Sequence, residues 1–132
     1  RPQAINQMGG YKVQGKTREA AQKLLEDALA LEKAGCCALV LEGMPDKVSE
    51  MNTTQLQIPT IGIGAGVGCD GQVLVFHDLV GFGDGKCVPK FVKRYADIGN
   101  QVVEAVQNYC EEVRARQYPS ADYTYTVKER ED

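Results

Sequence analysis

The acidic side chain best placed for chemistry is Glu42, which directly follows an apolar run at residues 36–41 and precedes Gly43. In parallel α/β proteins, ligands bind beyond the carboxyl ends of the strands, so a polar residue at that place is a candidate site residue. An apolar environment would raise the pKa of its carboxyl group toward the range that suits proton transfer. A glutamate at a strand end can equally cap a loop or pair with a lysine, and its position alone leaves these roles open.

A second candidate is the glycine-rich segment at residues 61–66, with glycine at positions 62, 64 and 66. Glycines permit close approach of the backbone and expose N–H groups, which suits an anionic ligand. The registers that start at Gly62 and at Gly64 do not fit the dinucleotide-binding pattern GxGxxG, because Val67 and Cys69 stand where the third glycine would be. These two registers therefore do not predict a nicotinamide cofactor. The sequence also lacks a phosphate-binding GxxxxGK[ST] loop and a nucleophile elbow.

Helices must position these residues, and helical spacing of apolar side chains predicts where they lie. The first predicted helix is capped by Thr17 and ends at Gly35. A weaker second helix is expected to be capped by Asp46 or Ser49. A long amphipathic helix is predicted over residues 96–116.

Two continuous apolar runs, residues 36–41 and 58–64, predict strands that are buried on both faces. Their spacing is that of a repeated βα unit. Residues 72–80 contain so many apolar residues that their spacing does not distinguish a strand from a helix. We expect a buried helix there. Residues 88–95 are expected to hold a short last strand. The alternation of helices and strands predicts a mostly parallel α/β sheet.

Composition narrows the function classes. The 132 residues are 43% hydrophobic and 25% charged, which is typical of a globular domain. With 15 Lys and Arg against 18 Asp and Glu, the net charge of -3 disfavours a nucleic-acid partner. The apolar runs are far below the roughly 20 residues that span a bilayer, so we expect no membrane partner and an intracellular location. The five cysteines include no Cys-x-x-Cys pair, which argues against a zinc site and a disulfide framework.

Five blocks of sequence, in this order along the chain, carry a resemblance to a known family. They are GGYKVQG at 9–15, LVLEGMP at 39–45, IPTIGIGAG at 58–66, DGQVLV at 70–75 and PKFVKRY at 89–95. Together they make residues 1–117 similar to the ketopantoate hydroxymethyltransferases. The polar tail at residues 118–132 departs from the family's usual short ending.

The resemblance implies an α/β protein that forms the C-terminal part of a (β/α)8 TIM barrel of the phosphoenolpyruvate/pyruvate superfamily. Residues 1–117 would be the C-terminal half of the barrel domain, since a whole barrel takes about 250 residues. The family transfers a hydroxymethyl group from 5,10-methylenetetrahydrofolate to 3-methyl-2-oxobutanoate, giving 2-dehydropantoate in pantothenate biosynthesis. Glu42 matches the family's proton acceptor, and Ile63, Val73 and Val75 match apolar positions that border the substrate. Simple core packing remains open for each of these three.

The family uses Mg²⁺ bound to the 2-oxoacid, with ligands in the first half of the barrel and none in the part that this chain resembles. Members are cytoplasmic and commonly decameric. We therefore expect the chain to be the C-terminal portion of a longer polypeptide, or one of two fragments that complete each other, with the N-terminal half of the barrel as partner. Two alternatives stay open: a non-catalytic barrel remnant that acts in oligomer assembly, and another C–C lyase of the same superfamily.

Overall fold

The computed structural model describes residues 15–83 and 88–127. The chain forms two compact units. The first contains the residues up to Val75 together with Pro89–Val92. The second contains Phe76–Val88 and the residues from Lys93 onward. No helix within the described residues is long and apolar enough to cross a membrane.

The first helix, α1, spans Arg18–Lys33 and begins and ends as its sequence predicts. The Thr17 hydroxyl accepts a hydrogen bond from the Ala20 N–H at 3.1 Å and so caps the first turn. Ala34 is the C-cap, and Gly35 follows with φ of 96°, a left-handed conformation that glycine adopts without strain. The apolar stripe predicted for α1 faces the core, since Ala28 is buried and Leu24 packs against the core residues.

The sheet has three parallel strands in the order β1-β2-β3, which confirms the predicted parallel α/β arrangement. Strand β1 is Leu39–Glu42, β2 is Thr60–Ile63 and β3 is Gly71–Gln72. Helix α2, Asp46–Gln55, connects β1 to β2.

The predicted cap of α2 is wrong. The N-cap is Pro45 and makes no side-chain cap bond, while Asp46 is already the first helical residue. Ser49 lies inside the helix, where its hydroxyl donates to the Pro45 carbonyl at 3.3 Å. Short polar side chains within a helix commonly bond to the carbonyl four residues earlier in this way.

The core lies on one face of the sheet, between the strands and the helices of the first unit. Leu41, Met44 and Ala65 are buried there, and Leu24 of α1 and Val48 of α2 pack against them. The prediction that β1 is buried on both faces is wrong for this chain, because Val40 is 63% exposed. Neighbouring residues of a strand point to opposite faces, and the helices cover the face of Leu41 only.

Two carboxylates bind backbone N–H groups ahead of the strands. The Glu32 Oε1 atom accepts from the Gln57 N–H at 2.6 Å and from the Ile58 N–H at 3.0 Å. The Asp70 Oδ2 atom accepts from the Thr60 N–H at 2.8 Å and from the Thr60 hydroxyl at 3.2 Å. These bonds tie α1 and the start of β3 to the segment that enters β2. They lie at the amino ends of the strands, away from the carboxyl ends where parallel sheets bind ligands.

The predicted buried helix at residues 72–80 is wrong. Gly71 and Gln72 pair with Ile61 and Gly62 of β2 as strand β3. Only Phe76–Val80 is helical (α3), and none of its residues is buried. Apolar composition alone does not distinguish a strand from a helix, and hydrogen bonds to β2 favour the extended conformation at Gly71 and Gln72.

The second unit contains the long helix α4, Ile98–Arg114, which confirms the prediction of an amphipathic helix. The predicted strand at residues 88–95 is wrong, because no strand is present over this described range. The ring centroid of Tyr118 lies 5.5 Å from the ring centroid of Tyr109 on α4. It lies 6.0 Å from the ring centroid of Tyr123, which belongs to the short 3-10 helix Ala121–Tyr123. The part of the predicted tail at 128–132 lies outside the described residues.

Candidate functional site

Glu42 lies at the carboxyl end of β1, on the sheet face opposite to the core. It is paired in register with Ile63 of β2, and the N–H of the next residue, Gly43, donates to the Ile63 carbonyl at 3.0 Å. Because side chains alternate along a strand and Leu41 points into the core, the Glu42 side chain lies on the other face. Val40 shares that face.

Val73 extends this row to the third strand. Its N–H donates to the Gly62 carbonyl at 2.9 Å, which continues the pairing of β3 with β2 by one residue. Since Ile61 pairs with Gly71, the same register sets Val73 beside Ile63. Parallel strands lie about 4.8 Å apart, so Glu42, Ile63 and Val73 are neighbours at the carboxyl edge of the sheet.

The structure thus brings together three of the four residues singled out from the sequence. The fourth, Val75, follows two residues after Val73 and is exposed. Val73 is 48% exposed, and Ile63 is half-buried. Among the described residues, this face of the sheet is therefore apolar, carries one carboxylate and is not covered by α1 or α2.

The environment of Glu42 differs from the sequence expectation. Desolvation by apolar neighbours was expected, yet Glu42 is exposed. Its strand partner Ile63 supplies an apolar neighbour on one side. The described residues alone do not exclude water from the carboxylate.

The glycine-rich segment forms a tight loop directly after β2, and we call residues 64–68 the glycine loop. Gly64 and Gly66 have φ of 61° and 79°, which L side chains rarely adopt. A Cβ at Gly66 would lie 2.6 Å from the Cβ of Asp46, at the start of α2. Between the two glycines, Ala65 is fully buried. The loop is therefore fixed against the segment that follows Glu42.

Two polar residues near the loop were missed at the level of sequence. Asp70 and Gln72 belong to a segment that the sequence marks only as a turn followed by an apolar run. In the structure, Asp70 binds Thr60 at one end of β2, and the Gln72 Nε2 atom donates to the Gly66 carbonyl at 2.8 Å at the other end. The bonded residues are 10 and 6 positions apart and meet only because β3 pairs with β2, which the sequence pattern did not predict.

Metal ligands are not grouped in the described part of the chain. Residues 15–83 and 88–127 contain no cluster of three or more His, Cys, Asp or Glu that could hold a metal ion. Four cysteines in these ranges are free thiols, at positions 36, 37, 69 and 110. One of them, Cys69, packs against the core.

Comparison with known proteins gives one consistent family. Residues 1–121 match the model of the family described as ketopantoate hydroxymethyltransferase. Among the curated relatives, the 3-methyl-2-oxobutanoate hydroxymethyltransferase of Clostridium beijerinckii is 51% identical over 131 residues, covering 98% of this chain and 47% of the relative. Its namesake in Nitratidesulfovibrio vulgaris strain DP4 is 55% identical over 126 residues, covering 96% of this chain and 41% of the relative.

The chain spans less than half the length of these curated relatives. A third relative of the same name, from Geobacillus sp. strain WCH70, is 53% identical over 130 residues, with 98% of this chain and 46% of the relative covered. The residues matched by the family model include the three strands, α1 and α2. The chain belongs to the ketopantoate hydroxymethyltransferase family.

Proposed function

We propose that this chain supplies the last βα units of a (β/α)8 barrel of the phosphoenolpyruvate/pyruvate superfamily. The complete barrel transfers a hydroxymethyl group from 5,10-methylenetetrahydrofolate to 3-methyl-2-oxobutanoate, giving 2-dehydropantoate for pantothenate biosynthesis. The observation that carries the proposal is the row of Glu42, Ile63 and Val73 at the carboxyl edge of three parallel strands. Barrel enzymes place their active sites at this edge.

The arrangement of layers supports the barrel. In a (β/α)8 barrel the helices cover the outer face of the strands, and the opposite face lines the interior. Here α1 and α2 cover the face of Leu41, whereas the face of Val40 and Glu42 is open. Residues 1–117 would form the C-terminal half of the barrel domain and 118–132 a polar tail. The strands that complete the barrel lie outside this chain in the proposal.

Glu42 is the proposed proton acceptor. Its carboxylate takes the proton from C3 of 3-methyl-2-oxobutanoate, and the electron pair of the C–H bond passes into the enolate. Water supplies the hydroxyl oxygen, and both C–N bonds of the folate's methylene carbon break, so that tetrahydrofolate leaves with a proton on each nitrogen. The enolate carbon forms the new C–C bond to the released one-carbon unit, and the proton taken by Glu42 passes to the hydroxyl oxygen of the product. A base of this kind typically contributes a factor of about 10²–10⁴ to the rate, provided that it is within hydrogen-bond reach of the proton.

The apolar residues beside Glu42 have two proposed tasks. Ile63, Val73 and Val75 offer a surface for the branched carbon chain of the oxoacid, which has no polar group at that end. They also keep water from the reacting carbon once the remaining strands cover this face. Since Glu42 is exposed here, the remaining strands must cover it before catalysis.

Magnesium is implied by the family resemblance, bound to the oxoacid. The described residues do not fit a metal site by themselves, because they contain no suitable cluster of ligands. We therefore assign the ligands to the part of the barrel outside this chain. The proposal also places the assembly in the cytoplasm as a homo-oligomer, a decamer by resemblance.

A hybrid enzyme tests the proposed function. In it, this chain replaces the matching 131-residue segment of the Clostridium beijerinckii relative, whose remaining residues complete the barrel. The expected result is formation of 2-dehydropantoate that depends on both 3-methyl-2-oxobutanoate and the folate. The same relative lacking the segment is the control and should form none.

Other outcomes identify the alternatives. A hybrid that assembles to the relative's size without transferring a hydroxymethyl group would contradict the proposal and favour a remnant that serves assembly. A hybrid that cleaves a C–C bond of an oxoacid without any folate would favour a lyase of the same superfamily.

A further inference from the structure

We propose that Gln72 is a positioning residue that holds the glycine loop, residues 64–68, and through it the segment that carries Glu42. The inference rests on the proposed function, since it assigns Gln72 to the same site. Gln72 does not touch the reacting atoms in this proposal and acts only through the backbone.

The side chain of Gln72 is attached at two points along β2 and its loop. Its Nε2 atom donates to the Gly66 carbonyl at 2.8 Å. The amide also lies flat against Gly62, because a Cβ built on that glycine would be 3.0 Å from Oε1 and 3.1 Å from Nε2. The side chain therefore crosses from β3 over β2 to the loop that leaves it.

The glycine loop and Ile63, the residue before it, contact the two ends of the segment that follows Glu42. At one end, the Gly43 N–H donates to the carbonyl of Ile63, directly before the loop. At the other end, the backbone of Gly66 packs on Asp46 so closely that a Cβ would lie 2.6 Å from the Asp46 Cβ and 3.0 Å from its Cα. A shift of the loop would therefore be passed on to residues 43–46 and to the strand end that holds Glu42.

This connection predicts a particular kinetic effect. A general base must be aligned with the proton that it takes, and a misplacement of about 1 Å can cost up to about 10²-fold in rate. Loss of the Gln72 bond shifts the loop without removing any group that binds the oxoacid. The turnover number should therefore fall, while KM for 3-methyl-2-oxobutanoate changes little.

The test uses Gln72→Met in the hybrid enzyme, since methionine keeps the length of the side chain and lacks the N–H donor. The expected result is a turnover number about tenfold lower, with KM for the oxoacid within about twofold. The matched control is Gln55→Met at the exposed end of α2, which should leave both constants unchanged. Gln72→Glu, which sets a carboxylate against the Gly66 carbonyl, should lower the turnover number at least as much.

Hydrogen exchange of the Gly43 amide, which donates to the Ile63 carbonyl directly before the loop, gives a readout that does not depend on activity. Gln72→Met should speed exchange of this amide by roughly fivefold, as expected for loss of one hydrogen bond that holds the loop, and Gln55→Met should not. Equal exchange and equal turnover in the two variants would overturn the inference, as would a drop in turnover that Gln55→Met reproduces. If the unsubstituted hybrid is inactive, the proposed function fails, whereas the exchange experiment still decides whether Gln72 holds the loop.

Discussion

Substitution of Asp70 by alanine tests how the start of β2 is held. The Asp70 carboxylate accepts from the Thr60 N–H at 2.8 Å and from the Thr60 hydroxyl at 3.2 Å, and Thr60 has no exposed surface. Alanine leaves the buried N–H without its acceptor, whereas the hydroxyl keeps its bond to the Thr53 hydroxyl at 2.8 Å. Asp70→Ala therefore leaves the Thr60 N–H without an acceptor, and the Thr60 hydroxyl loses one of its hydrogen bonds and keeps another.

The magnitude follows from these contacts. An unpaired buried donor costs about 1–3 kcal/mol, and a weakened hydroxyl bond adds about 0.5–1 kcal/mol. Asp70 itself is exposed, so water can reach part of the vacated space and reduce the cost. We expect Asp70→Ala to lower the free energy of unfolding by about 2 kcal/mol. Asp70→Asn keeps an acceptor oxygen without the charge and should cost about 1 kcal/mol.

Urea unfolding of the hybrid enzyme measures the change, with the slope of the transition compared between variants. Glu104→Ala on the exposed face of α4 is the control and should stay within about 0.5 kcal/mol of the unsubstituted protein. Exchange of the Thr60 amide should accelerate by about thirtyfold in Asp70→Ala, which is 2 kcal/mol expressed as a ratio. Equal stability of Asp70→Ala and Glu104→Ala, with an unchanged Thr60 amide, would refute the argument.

Three further substitutions have expected outcomes in the same unfolding assay. Gly66→Ala should cost more than about 2 kcal/mol, because of the positive φ and the overlap with Asp46, and an unchanged midpoint would contradict the loop geometry. Glu32→Ala should cost about 1.5–3 kcal/mol, because one carboxylate oxygen accepts two backbone N–H groups; Glu32→Gln should recover part of it. Thr17→Ala should cost about 1 kcal/mol by removing the cap of α1, and Thr17→Ser should restore stability.

Elements whose conformation is set by residues close together along the chain could be predicted from the sequence. Helix α1 has a capping threonine, a regular apolar stripe and a terminal glycine, and α4 has a long stripe, so both were predicted close to their observed bounds. Strands β1 and β2 were predicted because each is an apolar run bounded by turn residues. In each case the signal lies within the element itself.

The parts that depend on distant residues could not be predicted. Strand β3 is only two residues long and owes its conformation to pairing with β2, so its apolar surroundings suggested a helix instead. The double-sided burial expected for β1 fails because Val40 lies on the face of the sheet opposite to α1 and α2 and is exposed. Burial of a strand depends on every layer packed against it, and the apolar run of β1 contains no signal for which layers are present.

The candidate site also has one part that the sequence predicts and another that depends on contacts between strands. Glu42 could be found because it is the first polar residue after an apolar run, at the end of a strand where parallel sheets bind ligands. Its proximity to Ile63 and Val73 follows from the strand register. The family resemblance placed these residues beside the substrate, whereas the apolar pattern suggested a helix at Val73. Gln72 and Asp70 hold the two ends of β2 through hydrogen bonds between adjacent strands, which only the three-dimensional structure shows.

The most direct test of Glu42 as proton acceptor is deuterium exchange at C3 of 3-methyl-2-oxobutanoate in the hybrid enzyme, without folate. Glu42→Gln keeps the size of the side chain and removes the base, so exchange should fall by about 10²–10⁴-fold while the assembly size stays unchanged. Glu104→Gln, an exposed glutamate of α4, should exchange at the unsubstituted rate. Undiminished exchange in Glu42→Gln would contradict the proposal and assign proton removal to another residue.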